Sequence, residues 1–330
     1  MKNDILLENQ NQYLSCNSTN CLKGIFALLV LIHHLYQYSG FFKNSAIGLG
    51  FQALGYLSVG MFFFYTGYGM MVSKDKTGYV KAIGKKRILP LYSFYVFLIV
   101  LYLIWHLLLK RSVSPIEIIQ SFLFGKTIVP LGWYFQVIFV IYLLLWLVFN
   151  TMERDLECIS ATGIALIIYC IICTRCDLAS TWYESIFCVV LGMVWAAYKE
   201  MIDIVLDKRK WSVFFSTAFL FFIFLVGTKI SPLFNSEIKM ISAVLFSAFV
   251  TSATYVFPSV IYDNMITRIL GKYSLEIYVS QGFFLMLRKN DIIYIDNPYA
   301  FIAIVIVGTG IVSIALKPVY VQIVKTVKVL

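Results

Sequence analysis

Residues 88–109 read ILPLYSFYVFLIVLYLIWHLLL, a run without one Asp, Glu, Lys or Arg and apolar on every face of a helix. At 1.5 Å per residue it is long enough to span a hydrocarbon core of roughly 30 Å. A strand of a membrane barrel would be about ten residues long and would alternate in polarity, so this run is a helix. Working outward, the same reading gives ten apolar runs, at 24–42, 52–72, 88–109, 131–149, 158–173, 181–198, 211–227, 240–257, 269–287 and 299–316. Composition agrees: 60% of the 330 residues are hydrophobic and 13% charged, and the mean hydropathy is +0.83, far from a soluble globular chain. The fold expected is an all-α, polytopic transmembrane helical bundle of about ten spans with no soluble domain.

The organisation follows from the same runs. Residues 1–23 form the longest polar stretch and lack the basic-then-apolar layout of a cleaved signal, so the first span is expected to act as an uncleaved anchor. The division expected is a cytoplasmic N-terminal segment (1–23), a transmembrane domain (24–316) and a cytoplasmic tail (317–330). Of the 27 Lys and Arg, 17 fall in loops on the side of the N-terminus and 9 on the other, with Lys272 inside a span. Basic residues are retained on the cytoplasmic side, which sets both termini in the cytoplasm of a cytoplasmic (inner) membrane protein. The net charge of +10 reflects this topology and calls for no nucleic-acid partner. The most basic segment, Lys74 to Arg87, fits two roles: holding orientation against anionic lipid, or receiving a polyphosphorylated ligand from the cytosol.

Ionisable groups inside spans are costly in lipid and face cavities or partners. His33 and His34 lie ten and eleven residues past Lys23, so they are expected roughly 15 Å into the membrane, near its middle. They read either as two imidazoles bonded to neighbouring helices or as a general base, since imidazole titrates near neutrality without help. Glu276 follows Lys272 by four residues, the spacing of an intrahelical ion pair or of a carboxylate near chemistry. Glu184, beside Trp182 and Tyr183, reads as an exposed interfacial residue or as a binding residue. Trp133 and Tyr134 fit a membrane-interface belt or a pocket lining, and His106, near Lys110 and Arg111, an interfacial position. Cys170, Cys173 and Cys176 have a metal-like spacing, but no histidine is near and thiols serve as small apolar residues in such a segment, so no metal is expected.

Six stretches carry a resemblance to one family. Lys23 to Leu35, KGIFALLVLIHHL, resembles the first helix of membrane acyltransferase family 3, the multi-span bacterial sugar O-acyltransferases, with Lys23 where the family has arginine and His34 at its histidine. Ser58 to Gly69, SVGMFFFYTGYG, resembles the second helix, with Thr66 in a serine place. Lys85 to Pro90, KKRILP, resembles the basic motif before the third helix, with Gly84 where an arginine is expected. Gly132 to Tyr142, GWYFQVIFVIY, and Glu184 to Gly192, ESIFCVVLG, are similar to the fourth and sixth helices. Leu270 to Gly282, LGKYSLEIYVSQG, resembles a late motif in which Gln281 stands where the family has histidine.

The resemblance implies transfer of an acetyl or other short acyl group from acyl-CoA to a saccharide or glycolipid hydroxyl in contact with the lipid bilayer. His34 would be the base that a sugar hydroxyl needs in order to attack a thioester near neutral pH. Lys23, Lys85, Lys86 and Arg87 would hold the nucleotide phosphates of acetyl-CoA or another acyl-CoA, a donor substrate and not a resident cofactor. Trp133, Tyr134, Glu184, Glu276 and Gln281 are the acceptor-binding candidates. A polytopic transporter or flippase for a lipid-linked or polar small molecule is the reading from another class, and ten spans with buried polar residues suit it as well.

Overall fold

The computed structural model describes residues 13–41, 45–123, 125–230, 235–257, 259–290 and 292–329. Most of the segment read as preceding the first span, residues 1–12, lies outside the described residues. Among the described residues the chain is helical without a strand. Eight helices are long and apolar enough to cross a membrane: α1 (Cys16–Ser39), α2 (Ala46–Ser73), the continuous run of α3 (Tyr79–Ile83), a π-helical turn (Gly84–Ile88) and α4 (Leu89–Leu108), then α6 (Trp133–Thr151), α7 (Asp155–Arg175), α9 (Lys199–Ile230), α10 (Asn235–Val256) and α13 (Pro298–Val329). Between them lie α5 (Pro115–Phe122), α8 (Cys188–Ala197), α11 (Met265–Lys272) and α12 (Ser274–Leu285). Rows of exposed Ile and Phe, such as Ile164, Ile168 and Ile171 on α7 and Phe215, Phe219 and Phe222 on α9, are the faces that lipid solvates. The protein is a multi-pass helical bundle.

Two of the ten expected spans are not single helices. The run 181–198 holds only the ten-residue α8, preceded by a 3-10 turn at Ser180–Trp182. The run 269–287 is split at Tyr273, whose φ of −107° and ψ of 9° end α11 and open α12. Non-helical backbone at membrane depth is tolerated where protein covers it. Trp182 to Ile186 are buried in succession, as are Glu276 to Phe283. Other boundaries shift too: α1 begins at Cys16, ahead of the expected span, and α13 runs on to Val329 through the stretch read as a tail. The helical range Lys199–Ile230 is broken at Arg209 (φ −140°, ψ 30°), which leaves the apolar part starting where the sequence places it.

The chain divides into two compact units. One comprises Met1–Val30, Ala53–Asp75 and Met152–Lys272. Within it α2 and α8 meet backbone to backbone: a Cβ on Gly67 would lie 2.1 Å from the carbonyl oxygen of Val189, and one on Gly192 2.1 Å from that of Phe64. Such small-residue contacts replace the hydrophobic drive that lipid removes between helices. The contact is bordered by polar side chains that satisfy each other. Ser185 donates to the carbonyl of Tyr56 at 2.6 Å, and the Tyr56 hydroxyl lies 2.9 Å from Ser242 Oγ.

The other unit comprises Leu31–Gln52, Lys76–Thr151 and Tyr273–Leu330. Its centre is α12, too short to cross a membrane, against which α4 and α13 pack. The Tyr102 hydroxyl donates to the carbonyl of Val279 at 2.6 Å and its ring stacks on Phe283 at 4.0 Å between centroids. Trp105 Nε1 donates to the carbonyl of Phe283, and the Tyr278 hydroxyl to that of Leu131. Ser280 Oγ, 2.7 Å from Ser313 Oγ, ties α12 to α13.

Gly192→Ala is expected to lower the thermal midpoint of the detergent-purified protein, by the equivalent of roughly 1–3 kcal/mol for an overpacked contact that backbone cannot relieve. Gly163→Ala, where an added Cβ meets nothing within 4 Å, serves as the control and is expected to leave the midpoint unchanged. Equal midpoints for the two variants would show that α2 and α8 are not held at this distance.

Candidate active site

The end of α1 is set by Gly40, which takes the left-handed conformation (φ 77°) and donates its N–H to the carbonyl of Tyr36. His34 therefore sits five residues from the last helical residue, Ser39, about 7–8 Å along the axis. It lies nearer that end than the expected central depth. The two histidines separate in role because adjacent residues point about 100° apart. His33 is buried, with Nδ1 2.9 Å from the carbonyl oxygen of Phe51. A carbonyl only accepts, so the proton is on Nδ1. His34 is half-buried, and its Nδ1 lies 3.2 Å from the side-chain oxygen of Gln37, one turn on. The same logic places its proton on Nδ1. His34 Nε2 then carries the lone pair and makes no hydrogen bond among the described residues. Beside them Leu31 and Leu35 pack on Leu285, Phe301 and Val305, an apolar wall that holds this stretch of helix.

The basic residues at the start of α4 lie on the π-helical turn Gly84–Ile88, which carries Lys85, Lys86 and Arg87 in sequence. A widened turn of this kind is uncommon and recurs at functional sites. Lys86 and Arg87 line a cavity of about 250 Å³ with Tyr79, Ala82 and Ile83. Lys85 is exposed on the same turn. Lys23 belongs to the other unit, where its ammonium lies 5.7 Å from the centroid of the Tyr65 ring. Lys74, the first cation of the basic segment, is buried and already engaged by Asp155 Oδ1 at 2.6 Å and the carbonyl of Glu153 at 2.7 Å. Burial opposes its charge, but the bond to Asp155 and the charges of Asp155 and Asp75 hold its pKa above the usual lysine value.

A second cavity, of about 330 Å³, lies at the other end of α4. The twenty residues between the cavities rise about 30 Å, a membrane's hydrocarbon thickness. Tyr38, His106, Arg111, Ser112, Glu117 and Pro130 are among its lining residues. His106, expected to be merely interfacial, has Nε2 3.0 Å from the carbonyl of Ile128 and a buried Nδ1 without a partner among the described residues. Glu117 Oε2 accepts from the Ser114 N–H while Glu117 N–H donates to Ser114 Oγ, a capping box that opens α5. Lys110 (φ 50°) and Leu131 (φ 65°), two of the three non-glycine residues with positive φ among the described residues, adjoin residues that line the cavity, and such conformations persist only when surroundings impose them. The sequence signal for this site is the Ser-x-x-Glu cap; nothing in the linear order joins it to His106.

The remaining candidates are placed as follows. Trp133 and Tyr134 are half-buried at the start of α6, with Tyr134 5.1 Å from Tyr278 between ring centroids. Gln281 is fully buried: Nε2 donates to the carbonyl of Tyr278 at 3.0 Å and Oε1 has no hydrogen-bond partner among the described residues. Glu276 does not follow the helical spacing to Lys272, because the break at Tyr273 lies between them. Its buried carboxylate pairs with Lys317 at 3.1 Å. Glu184 is not an exposed interfacial residue. It is buried in the other unit, accepting from Ser180 Oγ and paired with Lys239 at 3.2 Å.

The family model described as "Acyltransferase domain" matches residues 17–317. The chain belongs to membrane acyltransferase family 3. No curated protein and no solved structure matches it. As an acyltransferase the protein is an enzyme of acyl transfer, and the transporter reading is set aside. In the acyltransferase, one compact unit thus carries an imidazole with a free lone pair, a basic cavity and a polar cavity.

The buried ion pair between α12 and α13 gives a stability test. Lys317→Ala in the acyltransferase leaves the Glu276 carboxylate buried without its cation, a loss of about 3–5 kcal/mol for pairs of this kind. Glu276→Gln removes the charge and is expected to cost less, because Lys317 keeps partial access to solvent. Thermal midpoints in detergent check the order, and equal losses would show that charge is not what holds α12 to α13.

Proposed function

We propose that the acyltransferase moves an acetyl or other short acyl group from acyl-CoA to a hydroxyl of a cell-surface or lipid-linked saccharide, with His34 as general base. The observation that carries the reading is the state of His34: Nδ1 is engaged by Gln37, and Nε2 is left to take a proton. As the acceptor oxygen attacks the thioester carbonyl, its proton passes to Nε2, the C–S bond breaks and the CoA thiolate leaves. The ester product forms without redox chemistry, and the proton on His34 returns to the thiolate or to solvent.

Lys86 and Arg87, lining their cavity, suit the donor's phosphates, with Lys85 on the same turn as an outer cation. In this proposal both termini are cytoplasmic, following the excess of Lys and Arg in the loops on that side. The basic cavity then faces the donor pool. The cavity at the other end of α4 faces away from it, so acetyl crosses the membrane within the enzyme.

His34→Ala is expected to reduce transfer of labelled acetyl to cell-surface glycans by about 10²-fold or more, the factor usual for a general base, while membrane insertion persists. His33→Ala removes the buried bond to the Phe51 carbonyl and is expected to cost stability, roughly 0.5–1.5 kcal/mol, with transfer per folded molecule largely kept. A His34→Ala enzyme retaining more than about a tenth of the activity removes it as the base.

Arg87→Ala is expected to raise the KM for acyl-CoA with little change in kcat, because a phosphate contact equal in ground and transition states acts on binding alone. An unchanged donor KM returns the basic turn to a purely topological role. Sealed vesicles of known orientation test the route. Acetyl-CoA confined to the cytoplasmic face is expected to acetylate acceptor on the opposite face, and product formed only with both substrates on the cytoplasmic side excludes transfer across the membrane.

A further inference from the structure

We infer that the 330 Å³ cavity at the His106 end of α4 is a site for one neutral, polyhydroxylated ring, selected against acidic and amino-substituted rings. The inference rests on the acyltransfer reading above and narrows its acceptor. Three side chains impose the selection. His106 has spent its only N–H on the carbonyl of Ile128, so its buried Nδ1 offers a lone pair and requires a hydrogen from the ligand. Glu117 likewise only accepts, and its capping box with Ser114 fixes the carboxylate. Arg111 only donates, and its guanidinium has no hydrogen-bond or ion-pair partner among the described residues.

A hydroxyl donates one hydrogen and accepts through its oxygen, so an uncharged hydroxylated ring answers all three without bringing a charge against Glu117 or Arg111. A carboxylate or phosphate would meet Arg111 but bring no hydrogen to His106 and would face the Glu117 charge. An ammonium would meet Glu117 and His106 but face Arg111. The volume stands at the lower end of small-molecule sites, about 300–1,000 Å³, which suits one ring and not an oligosaccharide. Position agrees with chemistry: Tyr38, on the cavity wall, is four residues past His34 and on the same helix face, about 6 Å along the axis. A ring in this cavity sits one turn from the proposed base.

The test uses Ser112→Cys, an exposed lining position, in the detergent-purified full chain, with the unsubstituted enzyme as the background for native cysteines. Thiol labelling by a maleimide is timed with methyl glucoside, methyl glucuronide or glucosamine present. Methyl glucoside is expected to slow labelling, and the acid and the amine to need at least about tenfold higher concentration for the same effect. Adding Arg111→Ala is expected to raise the glucoside concentration for half-protection by about tenfold, as loss of a charge-assisted bond does. Adding Glu117→Gln, which keeps an acceptor for the Ser114 cap, is expected to admit the glucuronide.

Labelling unaffected by every probe, in a protein whose unsubstituted form still transfers acetyl to glycans, overturns the site and leaves the enzymatic reading standing. Protection by glucoside in an enzyme that acetylates no glycan overturns that reading and leaves the site. Equal protection by glucuronide and glucoside overturns the selection for a neutral ring.

Discussion

The unit that carries the candidate site depends on burying a helix that is too short to cross a membrane. Helix α12 has twelve residues, nine of them buried and eight of those in the unbroken run Glu276–Phe283. In hydrocarbon each unpaired backbone group at its ends would cost several kcal/mol, so neighbouring side chains supply the missing donors. Trp105 from α4 reaches the carbonyl of Phe283 in the last turn, and Tyr102 adds a bond to the mid-helix carbonyl of Val279. Ser280 and the Glu276–Lys317 pair lock the helix to α13. Each of these bonds costs little in lipid precisely where protein replaces it, and together they determine where α4 and α13 stand.

Once α4 is fixed along its length, a cavity opens at each of its ends. The π-helical turn at one end presents Lys86 and Arg87 to a cavity. At the other end the chain reverses through Lys110 and α5, and the capping box of α5 brings Glu117 to the cavity that His106 and Arg111 share. The strained φ of Leu131 belongs to the same design, since its carbonyl is the acceptor for the Tyr278 hydroxyl of α12. Support for α12 and shape of the polar cavity are thus one set of contacts.

The two histidines show how helix position separates a packed imidazole from an accessible one. Both rings are fixed at Nδ1, one by a backbone carbonyl and one by an amide side chain. His33 is inside the packed interior, and His34, turned by about 100°, keeps a nitrogen for a proton. Backbone position makes the difference, since the residues are identical and adjacent.

Composition and run length determined by themselves that this is a multi-pass helical bundle, because the need to satisfy every backbone group in lipid leaves few other solutions for such a chain. Ordered local motifs placed it among the acyltransferases and pointed to His34, Lys86 and Arg87, which lie on continuous helical turns where sequence distance is spatial distance. The rest required tertiary structure. Apolar runs at 181–198 and 269–287 looked like spans because burial in protein and burial in lipid select the same residues, and hydropathy does not distinguish them. Glu276 pairs with Lys317 and not at helical spacing, since one break at Tyr273 cancels the periodicity on which that reading depends. Glu184 looked interfacial from its aromatic neighbours, yet Lys239 from a distant helix covers its charge. His106, Arg111 and Glu117 meet only because α4, α5 and the chain between them fold back on one another, and a convergence of separate segments leaves no mark in linear order.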